Sequence, residues 1–174
     1  ELKYKEVYRS AVKFAEYLQE LGIEKGDRVA IMLPNCPQSV ISYYGILMAG
    51  GIVVQTNPLY MERELQYQMA DSGAKMILTL DILYPRVMKV MQQTDLQHII
   101  LTAIKDFLPF PKNMIYPFIQ KKQYGFSVNV KHQGNLHLFK EIFKQPTKPL
   151  QELEFDFEED LALLQYTGGT TGFP

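Results

Sequence analysis

The sequence predicts an α/β fold, a mostly parallel sheet with helices on both faces. Three observations lead there. Segments of about ten to eighteen residues with apolar side chains at three-and-four spacing alternate with short, apolar, β-branched runs. Glycine, proline or asparagine marks most changes of pattern. The last apolar run leads straight into a turn of glycine and threonine, at the end of a strand where open α/β sheets bind their ligands.

The elements follow in order. Over residues 4–21, Val7, Tyr8, Ala11, Val12, Ala15, Leu18 and Leu21 share one helical face, and Gly22 stands where a left-handed stop is wanted. Residues 28–33, Arg28-Val-Ala-Ile-Met-Leu33, suit a buried strand, which Pro34-Asn35-Cys36-Pro37 breaks. A helix over 38–49 ends at Gly50-Gly51. A strand over 52–56, the turn Asn57-Pro58 and a helix over 62–72 closed by Gly73 come next. A strand over 75–80, a helix over 84–93 and a strand over 98–102 continue the alternation. From 104 to 147 the pattern loosens where Pro109, Pro111 and Pro117 interrupt it, although 113–122 and 136–144 keep a helical period. Residues 161–166 form a last buried strand. The chain therefore divides into a regular α/β part (1–103), an irregular insertion over the sheet (104–150) and a strand with a glycine-rich loop (151–174).

Composition narrows the function. A hydrophobic fraction of 47% and a charged fraction of 21% belong to an ordinary globular chain. A net charge of -1 gives no bulk attraction to nucleic acid. Eight lysines from Lys105 to Lys148 face only Asp106 and Glu141 in that interval, and an acidic run from Glu152 to Asp160 follows. Both read as solvated, placed to contact one another. A single cysteine, Cys36, excludes an intrachain disulfide and suits a reducing, cytoplasmic setting. The opening Glu-Leu-Lys-Tyr-Lys lacks the apolar stretch of a signal peptide, and no run of about eighteen apolar residues occurs.

Thr167, Gly168, Gly169, Thr170, Thr171 and Gly172 are the candidate site. Glycine lets backbone amides approach an anion without a Cβ in the way, and threonine adds hydroxyl donors. The composition suggests a phosphate cradle. It is neither a P-loop nor a dinucleotide fingerprint: the glycines fall at 168, 169 and 172, and Phe173-Pro174 follows Gly172.

The run Tyr166-Thr-Gly-Gly-Thr-Thr-Gly-Phe-Pro174 resembles the signature of the adenylate-forming acyl-CoA synthetases, Thr-Ser-Gly-Thr-Thr-Gly-x-Pro-Lys-Gly, with Gly168 in place of the serine. Gln165-Tyr-Thr-Gly-Gly-Thr-Thr-Gly172 is the form common among bacterial long-chain fatty-acid–CoA ligases. Gly26-Asp27-Arg28-Val29, Leu33-Pro34-Asn35, Asn57-Pro58-Leu59-Tyr60 and Asp71-Ser72-Gly73-Ala74 are similar to further blocks of that family. The resemblance implies part of the large N-terminal domain of such an enzyme. It also implies ATP and coenzyme A as co-substrates, Mg²⁺ as the accompanying metal and a long-chain fatty acid as the acid. The six loop residues would hold the β- and γ-phosphates. The family's ribose-binding aspartate, acidic magnesium ligand, hinge and C-terminal catalytic lysine lie downstream of the matched blocks, so the resemblance places no catalytic residue here and implies that these residues alone are inactive. Two alternatives stay open: another acyl- or aryl-CoA synthetase of the superfamily, and a non-catalytic truncated binding module.

Other candidates weigh less. His98, His132 and His137 have no metal-ligand spacing, and Cys36 has no activating neighbour in the sequence. Asn57-Pro58 reads as a structural turn, and Tyr43, Tyr44, Met48, Met61 and Met69 as core. Residues 107–122 combine aromatics, prolines and lysines. Peripheral membrane contact and packing on the sheet are both open there, the prolines arguing against one long amphipathic helix. The sheet's edge invites a homodimer.

Overall fold

The computed structural model describes residues 2–124 and 134–167. Helix α1, Tyr4–Glu20, begins where the Glu6 carboxylate accepts from the Lys3 amide at 2.7 Å. It leads to strand β1, Arg28–Met32, helix α2, Pro37–Met48, strand β2, Ile52–Gln55, and helix α3, Glu62–Ser72. Proline in the first turn of α2 costs no hydrogen bond there. Gly73, at φ +60°, ends α3 in the left-handed conformation. Strand β3, Met76–Leu80, helix α4, Tyr84–Met91, and strand β4, His98–Thr102, complete the regular part.

After a 3₁₀ turn, Ile104–Phe107, come helix α5, Lys112–Tyr124, strand β5, Leu136–Leu138, the single turn α6, Phe139–Ile142, and strand β6, Leu163–Gln165. The six strands run in the order β5-β4-β3-β1-β2-β6, and every neighbouring pair is parallel. Successive strand residues face opposite ways, and each face has its own core. Val29, Ile31, Val53, Met76 and Leu78 pack with Phe14 and Leu18 of α1, Ile41 and Ile46 of α2 and Phe139 of α6. Ala30, Met32, Val54, Ile77 and Ile99 pack with Leu65 and Met69 of α3 and Val87 and Val90 of α4. Helices thus cover both faces, as the sequence predicts.

Four expectations change. Residues 136–144 open with a strand and not a helix: Leu136 pairs with Ile99, so this part of the insertion extends the sheet's edge. The last strand is not buried. Leu163 is 37% exposed, and only Leu164 and Tyr166 turn toward the α3 side. Met69 is buried, but Tyr44, on the outer face of α2, and Met61, the residue before α3, are exposed. The acidic run is held by the approach to β1. Asp160 pairs with Lys25 at 2.6 Å, and Lys25 donates to the Glu154 carbonyl and lies over the Phe155 ring.

The block Gly26-Asp27-Arg28 has a structural explanation. Gly26, at φ +88°, donates its amide to the Gly50 carbonyl. Asp27 accepts from the Glu24 amide at 3.0 Å and pairs with Lys75 at 2.7 Å. Arg28 donates to the Ser72 and Gly73 carbonyls, tying β1 to the end of α3.

Candidate functional site

Because all strands are parallel, their C-terminal ends share one rim. Leu33, Thr56, Asp81, Ala103 and Thr167 each follow a strand there. The chain runs from β1 outward to β2, then returns to place β3 on the other side of β1. Such a reversal opens a crevice at the strands' C-terminal ends, the usual ligand position of open α/β sheets.

Thr167 is exposed and stands two residues beyond β6. Gly168, Gly169, Thr170, Thr171 and Gly172 lie outside the described residues. What precedes the loop is fixed on both sides. The β6 backbone pairs with β2, Leu164 opposite Val54. The Tyr166 hydroxyl donates to the Asp71 carboxylate near the end of α3. Burial, then the bond to Asp71, pushes the Tyr166 hydroxyl far above its ordinary value, so it stays a donor. Asp71 belongs to the block Asp71-Ser72-Gly73-Ala74, yet the sequence gives no sign that it reaches Tyr166, which is 95 residues away.

Sequence reasoning missed two polar groups at this rim. Gln38, at the start of α2, is fully buried and donates to the Thr102 hydroxyl at 3.3 Å and the Ala103 carbonyl at 3.1 Å. It ties the N-terminus of α2 to the end of β4. Asp81 follows β3 and accepts from the Gln120 amide at 3.1 Å and the Ile82 amide at 2.8 Å. Burial raises its carboxyl above the ordinary range, and these two donors moderate the rise. A buried glutamine and a half-buried carboxylate are weak signals in one sequence, because each depends on which strands become neighbours.

Asn57-Pro58 forms the expected turn: the Asn57 side-chain oxygen accepts from the Leu59 amide at 2.9 Å, and Arg86 donates to the Tyr60 carbonyl. Cys36 precedes α2, and burial pushes its thiol up, which leaves it a poor nucleophile. Among the described residues no three His, Cys, Asp or Glu side chains cluster as a metal site. His98 and His137 do meet, with Nδ1 and Nε2 3.0 Å apart, but His137 is also bound to the Tyr17 hydroxyl at 2.8 Å. His132 lies outside the described residues. At the opposite rim, a cleft of about 630 Å³ opens between Leu47, Met48, Ile52, Phe155, Phe157 and Leu161. It is apolar and lies at the other end of the strands from Thr167.

A model of the family described as AMP-binding enzyme matches residues 1–174. A long-chain-fatty-acid–CoA ligase of Bacillus subtilis (strain 168) is 49% identical over 174 residues, covering 99% of this chain and 31% of its own length. A protein of the same description from Escherichia coli O6:H1 is 43% identical over 166 residues, covering 91% of this chain and 28% of its own length. The solved structure of a long-chain-fatty-acid-CoA ligase from Archaeoglobus fulgidus superposes with a TM-score of 0.73 at 23% identity, over 98% of this chain and 28% of that one. That likeness concerns the fold. The chain spans about three-tenths of the length of the curated relatives it matches.

Proposed function

Since the chain belongs to the AMP-binding enzyme family, we propose that it supplies the N-terminal part of an acid–thiol ligase joining a long-chain fatty acid to coenzyme A at the expense of ATP. The observation that carries this reading is the sequence run from Gln165 to Pro174, whose described residues 165–167 close the parallel strand β6 and step beyond it at the C-terminal rim. The 49% identity to a relative described as a long-chain-fatty-acid–CoA ligase supports the choice of substrate class.

The proposed reaction has two steps. A carboxylate oxygen attacks the α-phosphorus of ATP and expels pyrophosphate, giving acyl-adenylate. The sulfur of coenzyme A then attacks the acyl carbonyl and expels AMP. The backbone amides of Gly168, Gly169 and Gly172 and the hydroxyls of Thr167, Thr170 and Thr171 hold the β- and γ-phosphates and offset charge on the departing pyrophosphate. Tyr166, bonded to Asp71, and β6, paired with β2, fix the strand end from which the loop departs. Mg²⁺ accompanies ATP in this chemistry and would neutralise phosphate charge. Among the described residues no three His, Cys, Asp or Glu side chains cluster to hold it.

The test is ATP–pyrophosphate exchange with palmitate in the longer protein. Thr170→Ala and Thr171→Ala each lower the exchange rate, by about a hundredfold for a lost donor of this kind. Unchanged rates in both variants would remove the loop from the first step. The 174 residues alone give no exchange, and clear turnover by them would show that the rim described here is sufficient for adenylation.

A further inference from the structure

Strand β6 has little backbone to hold it in place. It is three residues long and stands at the end of the sheet, so it pairs along one edge only, with β2. A one-residue slip would turn Leu164 and Tyr166 away from α3 and carry Thr167 about 3.3 Å along the strand. Side chains fix the register instead. Leu164 and Tyr166 pack against the core that holds Leu65 and Met69 of α3, and the Tyr166 hydroxyl donates to the Asp71 carboxylate. After a slip Gln165 or Thr167 would take that place, and neither carries both a ring and a hydroxyl.

Asp71 is a fixed partner because the helix around it is tied down. Arg28 donates from Nε to the Ser72 carbonyl at 2.9 Å and from Nη2 to the Gly73 carbonyl at 3.2 Å, directly after Asp71. Gln68, fully buried on α3, donates to the Gln55 carbonyl at 3.0 Å, and Gln55 is the β2 residue opposite Gln165. One helix thus holds the end of β2 through Gln68 and the end of β6 through Asp71. Asp71 is exposed and Tyr166 half-buried, so losing their bond leaves the packing of both cores in place. We propose that Tyr166 and Asp71 are a positioning pair for the adenylation step alone. The inference rests on the ligase reading and adds two residues to it. The pair acts through Thr167 and the residues after it, which hold the β- and γ-phosphates while pyrophosphate departs. A misplacement of about 1 Å at such a site can cost about a hundredfold in rate. In the second step pyrophosphate has left, the loop has no β- or γ-phosphate to hold, and the pair has no part.

The experiment separates the two steps in the intact protein carrying this chain. ATP–pyrophosphate exchange with palmitate reads the first, and thioester formation from supplied palmitoyl-adenylate and coenzyme A reads the second. Tyr166→Phe keeps the ring and removes the hydroxyl. It lowers kcat for exchange at least about tenfold and leaves thioester formation within about twofold of wild type. Asp71→Ala does the same, whereas Asp71→Asn, which keeps an acceptor oxygen, stays within about threefold of wild type in exchange. The double variant Tyr166→Phe/Asp71→Ala is no slower than either single one, because the two groups make one bond. Unchanged exchange in Tyr166→Phe overturns the proposal. An equal loss in both steps, which a merely structural role would give, overturns it too, as does multiplication of the two single losses in the double variant. The ligase reading fails separately. Reduced exchange in Thr170→Ala and Thr171→Ala with none in Tyr166→Phe removes the pair and keeps the loop, while no thioester from palmitoyl-adenylate in wild type removes the ligase reading itself.

Discussion

Tyr17, His137 and His98 form a hydrogen-bonded line across α1, β5 and β4. Each neutral imidazole has one ring proton, so the line is satisfied when every group donates in the same direction. Burial holds His98 below its ordinary value of 6.5, and it also raises the Tyr17 hydroxyl, with Glu20 adding to the rise. The linkage has a definite sign. The unfolded chain takes up the proton near 6.5, the folded chain only at lower pH, so stability is complete above 6.5 and is lost as pH falls through the window below it. The melting temperature of the 174-residue chain should therefore drop from about pH 7 to about pH 5, and His98→Gln should shallow that slope. Equal slopes in the two proteins would show that His98 is not the group responsible. Nothing of this line was legible in the sequence, because His98 and His137 are 39 residues apart and meet only once β4 and β5 pair. Cys36 and Asn57 were legible, since the roles of both are decided by immediate neighbours.

At the scale of elements, helix and strand positions through residue 102 follow from period and punctuation, and the observed bounds differ from the predicted ones by at most two residues. Packing between the elements rests on finer detail. Gly45 of α2 faces α1 so closely that a Cβ there would lie 2.7 Å from Phe14 Cδ1 and 3.0 Å from the Ala11 carbonyl oxygen. Phe14 is fully buried and continues into the Phe139 ring, 5.4 Å between centroids. Gly45→Val should cost about 1–3 kcal/mol through overpacking, and Phe14→Ala about 3–5 kcal/mol through the cavity it leaves. Urea unfolding checks both, and wild-type midpoints would mean that α1 and α2 can separate freely. Elements after 102 were less legible for a physical reason. β5 has three residues, too few for a period to emerge, and its strand character comes from pairing with β4.

At the scale of the whole molecule, strand order was not legible, because each apolar run is compatible with any neighbour. Once formed, the order places β6 at an edge beside β2, with one face uncovered. Phe157 is 97% exposed, Leu161 61% and Leu163 37%, and the apolar cleft at the opposite rim opens beside the first two. An exposed parallel edge with apolar side chains on it is a template for pairing. The 174-residue chain by itself should therefore self-associate as its concentration rises, which sedimentation velocity can follow. Leu161→Lys/Leu163→Lys should keep it monomeric, because paired lysines at such an edge repel a second copy and leave both cores untouched. The longer protein should not gain from these changes if its additional residues cover the edge; there the same substitutions should lower stability. A chain that stays monomeric without the lysines would mean that the edge is protected in some other way, and the face beside β2 would then lose its claim to be an incomplete surface.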